Sequence, residues 1–291
     1  MALNKYQTVN VLFTFTVILV CNFAQPGLSA PNIVIVGAGI GGSSCAYYLH
    51  QWIPQANITI LEADDRIASS VDGGNSLLPK ALINASKADV MLNSLVTSVT
   101  KDPGGYVVTY NKPSPQQLLA DVVILAAPLE WTDIAFRNFP EDPASKQPRR
   151  TWTYWYVHYV SAKSLNNAYF NQPQNWNQPQ DILTTSNAST TWATIQFITN
   201  NNGLNIYKLF CFQNITSTIN KYFLGVKTVH VKYWKYTFPE LMPIQKDSQF
   251  QDIELDDNLF NINTMESVAS AMEGSVISGR NVAMIVKEKW P

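Results

Sequence analysis

"PNIVIVGAGIGGSSCAYYLHQ", residues 31–51, is the stretch on which the fold turns. Asn32–Val36 is a short apolar, β-rich run, and Gly37-Ala38-Gly39-Ile40-Gly41-Gly42 breaks it before "SSCAYYLHQ", which reads as a helix. "ITILEA", Ile58 to Ala63, is a second apolar strand that ends in an acid. Strand, glycine turn, helix and strand in that order make a βαβ unit, right-handed with parallel strands. Gly37, Gly39 and Gly42 satisfy G-x-G-x-x-G. Gly37 permits the tight turn, Gly39 lets the backbone approach a pyrophosphate, and Gly42 lets helix and strand pack closely. The helix N-terminus offers free N–H groups and a positive dipole end to phosphate. Glu62 is placed to accept hydrogen bonds from a ribose 2′-OH, and its charge disfavours a 2′-phosphate. The pattern points to a dinucleotide without that phosphate.

At 291 residues, 46% hydrophobic and 12% aromatic, the chain has material for one large domain or two ordinary ones. A charged fraction of 14% argues against a disordered chain. The net charge of −1 gives no electrostatic basis for binding nucleic acid or an anionic membrane surface, which leaves an apolar or small polar ligand. Lys5 and the apolar run Val9–Cys21, followed by small residues up to Ala30, predict a secretory signal cleaved between Ala24 and Ala30. An uncleaved anchor is the alternative. Sequons at Asn57, Asn84, Asn187 and Asn214 agree with secretion; Asn187 and Asn214 lie among polar residues, whereas Asn57 opens a core strand. Beyond the signal only Cys45 and Cys211 remain, which excludes a disulfide scaffold or a cysteine metal cluster, and Cys45 is expected in the core.

Further along, "SLLPKALINAS" predicts a helix beginning near Pro79, where proline suits a first turn. "DVMLNSLVTSVT", "GYVVTYN" and "ADVVILAAP" read as three strands, punctuated by glycine and proline. From Trp131 to Phe238 aromatics crowd the strand-like runs and Asn/Gln-rich stretches separate them, which suggests a second domain or a sheet-rich cap. "DDNLFNI" reads as a strand and "MESVASAMEGSVISGRNVAMIVKEK" as one long helix, with Ala269, Met272, Val276 and Ile277 on its apolar face. The expected organisation is a signal over 1–30, nucleotide-binding segments over 31–130, an aromatic-rich substrate region over 131–238 and a closing strand and helix over 239–291. His50, His158 and His230 have no metal-like spacing and are expected to be structural or exposed. Lys146, Arg149 and Arg150 read as a solvated basic loop, and Asp64 and Asp65 as exposed turn residues. Trp152, Tyr154, Trp155, Tyr156 and Tyr159 fit ordinary strand burial, with an apolar ligand wall as the alternative.

"IVIVGAGIGGSSCAYYL…ITILEA" resembles the N-terminal FAD-binding segment of the glutathione-reductase and amine-oxidase class of oxidases. "DGGNSLLPKALINASKADVMLNSLVTSV", "YVVTY" and "ADVVILAAPLEWTDIAF" resemble that class's second nucleotide-binding segment, and "NLFNINTMESVASAMEGSVISGRNVA" its closing strand and helix. Within the class, "GGNSLLPKALINAS" and "MESVASAMEGSVISG" are most similar to the prenylcysteine oxidase family, called farnesylcysteine lyase in plants. The resemblance covers both ends of the chain well and residues 131–236 loosely. It implies an α/β fold, in which a Rossmann-like FAD-binding domain carries a second, partly deleted mixed α/β substrate domain. It implies FAD, with Gly37, Gly39, Gly41 and Gly42 at the pyrophosphate, Glu62 at the adenosine ribose, Val96 at the adenine, and Met265 and Glu266 near the flavin. The dipole of the last helix would there stabilise the anion of the reduced flavin.

The implied reaction is oxidative cleavage of the prenylcysteine thioether by oxygen and water: a hydride leaves the carbon on sulfur, water adds there, and cysteine, a prenyl aldehyde and hydrogen peroxide result. No catalytic triad is expected, because the cofactor carries the chemistry. The implied setting is the lysosome or vacuole, with secretion or membrane anchoring as alternatives and peripheral membrane association through the apolar substrate. Two departures accompany the resemblance. Ala68-Ser69-Ser70 stands where the class places a Gly-Gly-Arg-like loop, and only about ten residues, Ala63 to Asp72, join Glu62 to Gly73 where a long substrate-domain stretch is usual. They suggest an internal deletion, which favours an inactive shortened form as one alternative; a related FAD-dependent amine or lipid oxidase is the other.

Overall fold

A computed structural model describes residues 29–67, 75–185, 188–241, 243 and 245–290. The signal segment and Ala68-Ser69-Ser70 lie outside the described residues. In chain order, β1 (Asn32–Val36), α1 (Ile40–Trp52), β2 (Asn57–Leu61), α2 (Leu77–Ser86) and β3 (Asp89–Met91) are followed by β4 (Leu95–Asp102), β5 (Gly105–Asn111), β6 (Pro115–Ala120) and β7 (Val122–Leu125). Then come β8 (Ala135–Arg137), β9 (Trp155–Ala162), β10 (Ser164–Leu165), β11 (Asp181–Leu183), β12 (Trp192–Asn201), β13 (Leu204–Cys211), β14 (Phe223–Leu224) and β15 (Thr228–Trp234). The hairpin strands β16 (Glu254–Asp256) and β17 (Leu259–Asn261) lead through a 3-10 turn, Ile262–Ser267, to α3 (Met272–Lys289).

The central sheet has the order β16-β17-β7-β1-β2-β3, with every pair parallel except β16–β17. A parallel strand covered on both faces must be apolar throughout, and β1 is buried at every position after Asn32. One face holds α1, α2 and α3, with Ile33, Ile35, Ile60, Ile124 and Phe260 packed among Cys45, Leu49, Val282 and Val286. Cys45 is a fully buried core residue. The other face meets the sheet β6-β5-β4-β8, where Val34, Val36, Leu61 and Leu125 pack on Val99, Tyr106 and Val108. Beyond this α/β unit lies the antiparallel sheet β11-β12-β13-β9-β15, with its own core around Val160, Trp192, Tyr207 and Phe223. Among the described residues no helix is long and apolar enough to cross a membrane.

Four sequence expectations are corrected. The three strands between Asp89 and Leu125 are five, because "DVMLNSLVTSVT" gives β3 to the parallel sheet and β4 to the second sheet, and Pro115 starts a separate β6. "DDNLFNI" is the turn and second strand of a hairpin, with Asn258 at φ 65.

Residues 265–289 are not one helix. The Asn261 side chain caps the 3-10 turn by accepting from Asn263 N–H at 3.1 Å, and Ala271 is extended, at φ −134 and ψ 155, before α3 begins. The buried face of α3 is accordingly Gly274, Ser278, Gly279, Val282, Ala283 and Val286, while Ala269 and Ile277 are exposed. Small residues win because α3 lies almost on α1: a Cβ on Gly279 would stand 2.7 Å from the Gly41 carbonyl oxygen. Arg150, finally, is no solvated residue; its side chain is 8% exposed and paired with Glu130.

Candidate functional site

The chain runs from β1 to β2 on one side and returns to β7 on the other, so the loops at the C-terminal ends of β1 and β7 diverge. A ligand crevice is expected at such a switch point. A cleft of about 690 Å³ opens there, inside the ~300–1,000 Å³ range of cofactor sites.

The glycine turn is built for close approach. Gly37 sits at φ +108, which L side chains rarely adopt, and its N–H donates to the Leu61 carbonyl at 2.8 Å. Gly39 ends the turn as the α1 N-cap, and a Cβ there would meet nothing within 4 Å among the described residues. The space in front of Gly39 is thus an open cradle that a side chain would fill. Gly41 also lines the cleft, but a Cβ on it would point to Ile262 Cδ1, 3.0 Å away. Gly42 faces inward, since a Cβ would stand 2.1 Å from the Gly37 carbonyl oxygen. Its absence of a side chain closes the turn.

Glu62 lines the cleft from the end of β2. Its Oε2 accepts Ala38 N–H at 2.7 Å and its Oε1 accepts Asp64 N–H at 3.0 Å. The carboxylate therefore ties the glycine turn to the second strand while keeping acceptor capacity for a hydroxyl pair. Val96, 5% exposed, lies on β4 and lines the same end of the cleft with Ser94, Leu95 and Thr97.

The far end is aromatic. Trp131, Trp152 and Tyr236 line it, with Trp131 stacked on Tyr236 at 4.4 Å and edge-on to Trp152 at 4.1 Å between ring centroids. Trp152 precedes β9, whereas Trp155, Tyr156 and Tyr159 belong to that strand. Behind the wall, Arg150 donates to both oxygens of Glu130, at 2.8 and 2.9 Å, and to the Asn263 carbonyl at 2.7 Å. Its guanidinium also lies 5.0 Å from the Trp152 ring centroid. Burial by itself would raise the Glu130 carboxyl, but the hydrogen bonds and charge of Arg150 hold it below the usual carboxylate range.

Glu266 lines the cleft beside this wall, and its Oε2 is buried without a hydrogen-bond partner among the described residues. Burial pushes its carboxyl above the usual range; Arg150 opposes the shift and Glu130 adds to it. Met265 is half-buried in the same 3-10 turn and is not among the cleft residues. Neither residue opens the last helix, as the sequence led us to expect. The free N–H groups of α3 belong to Met272–Gly274, whereas Ser275 N–H donates to the Ala271 carbonyl at 3.2 Å; Ser275 is the residue of this first turn that lines the cleft. Of the aromatics that the sequence offered as a ligand wall, which included Tyr233, Trp234 and Tyr236, Trp152 and Tyr236 line the cleft. Sequence reasoning missed Trp131, Glu130 and Ser275. For the first two no local signal exists; for Ser275 the extended Ala271 would have had to be foreseen.

Among the described residues no cluster of His, Cys, Asp and Glu has a metal-binding arrangement. An open glycine cradle, an acid beside it and a long cleft ending in an aromatic wall fit a dinucleotide that carries a planar ring. The fold is that of the FAD-dependent oxidoreductases, whose sequence profile matches residues 32–78. Cyclohexylamine oxidase from Brevibacterium oxydans shares this fold, with a TM-score of 0.62 over 89% of this chain and 99% of that one, at 11% identity.

More narrowly, the prenylcysteine lyase profile matches residues 57–291, and the chain belongs to that family. It is 28% identical over 256 residues to prenylcysteine oxidase 1 of Homo sapiens, covering 79% of this chain and 49% of that protein. It is 26% identical over 228 residues to farnesylcysteine lyase of Arabidopsis thaliana, covering 76% and 42%. The chain spans about half the length of the curated relatives it matches.

Proposed function

We propose that the chain is an FAD-dependent thioether oxidase that cleaves farnesyl- or geranylgeranylcysteine to cysteine and a prenyl aldehyde, within the secretory pathway and its lysosomal or vacuolar end. The observation that carries the reading is one cleft with a glycine cradle at one end and Trp131, Trp152 and Tyr236 at the other, in a chain of this family. Bound FAD supplies the hydride acceptor, and oxygen carries its electrons on to hydrogen peroxide.

The chain's residues bind and orient cofactor and substrate and shield them from bulk solvent, while one water adds to the oxidised carbon to release cysteine and the aldehyde. Gly39 and the first turn of α1 present backbone N–H groups to the pyrophosphate, Glu62 takes the adenosine ribose, and Val96 flanks the adenine. Trp131, Trp152 and Tyr236 offer an apolar wall to the prenyl chain, where aromatic side chains bury large area with defined geometry. Glu266 lines that end, and burial raises its carboxyl above the usual range, which favours its protonated form relative to an exposed carboxylate.

A second reading is favoured by the short connection between β2 and α2: a form that holds the nucleotide but does not turn over. Purified protein separates the two. Blue absorption bands of bound flavin together with farnesylcysteine-dependent peroxide release support the oxidase, and bands without peroxide support the second reading. Colourless protein that FAD cannot reconstitute overturns both.

A further inference from the structure

The fold treats the Asn-x-Ser/Thr sequons differently. Asn57 opens core strand β2, and its Nδ2 donates to Asn32 Oδ1 at 3.1 Å. Asn84 rides on α2, where the hydroxyl of its Ser86 is buried and donates to the Ile83 carbonyl at 2.7 Å. Asn187 lies outside the described residues. Asn214 is exposed in the turn after β13, and its Oδ1 accepts both the Thr216 N–H at 3.0 Å and the Thr216 hydroxyl at 2.7 Å. Its Oδ1 also stands 3.2 Å from His158 Nε2, whereas its Nδ2 has no hydrogen-bond partner among the described residues.

Ile215, between the two sequon residues, fixes this turn. It is 1% exposed, and its N–H donates to the buried His158 Nε2 at 3.2 Å. Two residues before Asn214, Phe212 leaves 49% of its surface exposed, with its ring 5.0 Å from that of Trp155. "FQNIT" (212–216) thus presents an amide nitrogen to solvent beside an uncovered aromatic face, on a rigid turn.

We propose that Asn214 carries an N-linked oligosaccharide whose first sugar packs its C–H face over Phe212. The inference rests on the secretory routing proposed above. In the transfer, Asn214 Nδ2 attacks the anomeric carbon of an oligosaccharide borne on a lipid pyrophosphate. The N–C bond forms, the C–O bond to the pyrophosphate breaks, the lipid pyrophosphate leaves and the nitrogen gives up one proton; nothing is oxidised or reduced. Nδ2 then points the chain of sugars into solvent, while the first ring covers apolar surface otherwise open to water, a favourable burial.

The test is expression of the full chain in a eukaryotic secretory host, with glycopeptide mass spectrometry on wild type, Asn214→Gln and Phe212→Ala. Both residues are exposed, and because Asn214 also ties the turn to Thr216, unchanged circular dichroism and melting of each variant are required before occupancy is compared. Expected is an occupied Asn214, loss of one endoglycosidase-sensitive species in N214Q, and at least a twofold drop in Asn214 occupancy in F212A with the other sequons unchanged. A bare Asn214 beside another occupied sequon overturns the inference and leaves the routing standing. All sequons bare, with the chain protease-accessible outside sealed vesicles, overturns both. Full Asn214 occupancy in F212A overturns the packing on Phe212.

Discussion

Removing Arg150 tests whether the aromatic end of the cleft is held by a buried ion pair. Arg150→Met keeps a long side chain against Trp152 but deletes the three guanidinium bonds, to both Glu130 oxygens and to the Asn263 carbonyl. The two side chains are 8% and 9% exposed, so Glu130 would be left as a nearly dry carboxylate. Gln251 Nε2, at 2.8 Å, and the backbone N–H of residue 150, at 3.2 Å, are the donors that remain. Breaking such a pair from one side costs about 3–5 kcal/mol, because an uncompensated charge stays buried. For a chain of this size that lowers Tm by roughly 6–20 °C.

The double variant Glu130→Gln/Arg150→Met removes both charges and should recover about 2 kcal/mol or more of that loss, as a coupling energy in a double-mutant cycle. The assay is urea unfolding followed by tryptophan fluorescence, run at low and high salt. Screening reaches a buried pair weakly, so the difference should persist at high salt. An R150M variant within about 1 kcal/mol of wild type, or a double variant equal to the sum of its singles, would refute a buried ion pair as the clamp.

The glycines separate packing from ligand approach. Gly39→Ala places its Cβ in open space and should unfold like wild type yet lose bound flavin absorbance, whereas Gly42→Ala drives a Cβ into the Gly37 carbonyl and should lose stability, by about 1–3 kcal/mol or more, together with the flavin. Glu62→Gln removes a charged acceptor from the Ala38 N–H and should weaken FAD binding, read by titration, by roughly tenfold or more. Glu266 has its folded pKa raised by burial. Its contribution to stability is therefore full below the unfolded carboxylate pKa and is lost as pH rises through the folded value. Melting curves should decline across that window in wild type and stay flatter in Glu266→Gln; equal slopes would exclude a buried, protonated Glu266.

What the sequence made legible were features whose cause lies within a few residues. The turn at Gly37 needs positive φ, the closure at Gly42 needs a missing Cβ, and Glu62 sits one βαβ unit away, so their spacing alone carries the reading. The misread parts depend on a partner elsewhere in the chain. "MESVASAMEGSVISG" looks like one helix because its residues tolerate one, yet α3 takes its phase from Gly41, against which Gly279 packs, and starts at Met272. Arg150 looks solvated in "SKQPRR" because its counterion, Glu130, is supplied by the turn after β7.

The same distinction divides the cleft itself. Its nucleotide end is encoded locally, in one βαβ unit and the first residues of β4, and can fold wherever those segments fold. Its aromatic end is assembled from Trp131, Trp152, Tyr236 and Glu266, four segments that meet only if the β7 turn, the strand linkers and the 3-10 turn dock together through Arg150. Shortening the chain between β2 and α2 therefore threatens the two ends unequally. On the function proposed above, loss of the clamp should abolish the aromatic end first, and R150M should lose prenylcysteine binding under conditions where flavin still binds at Gly39.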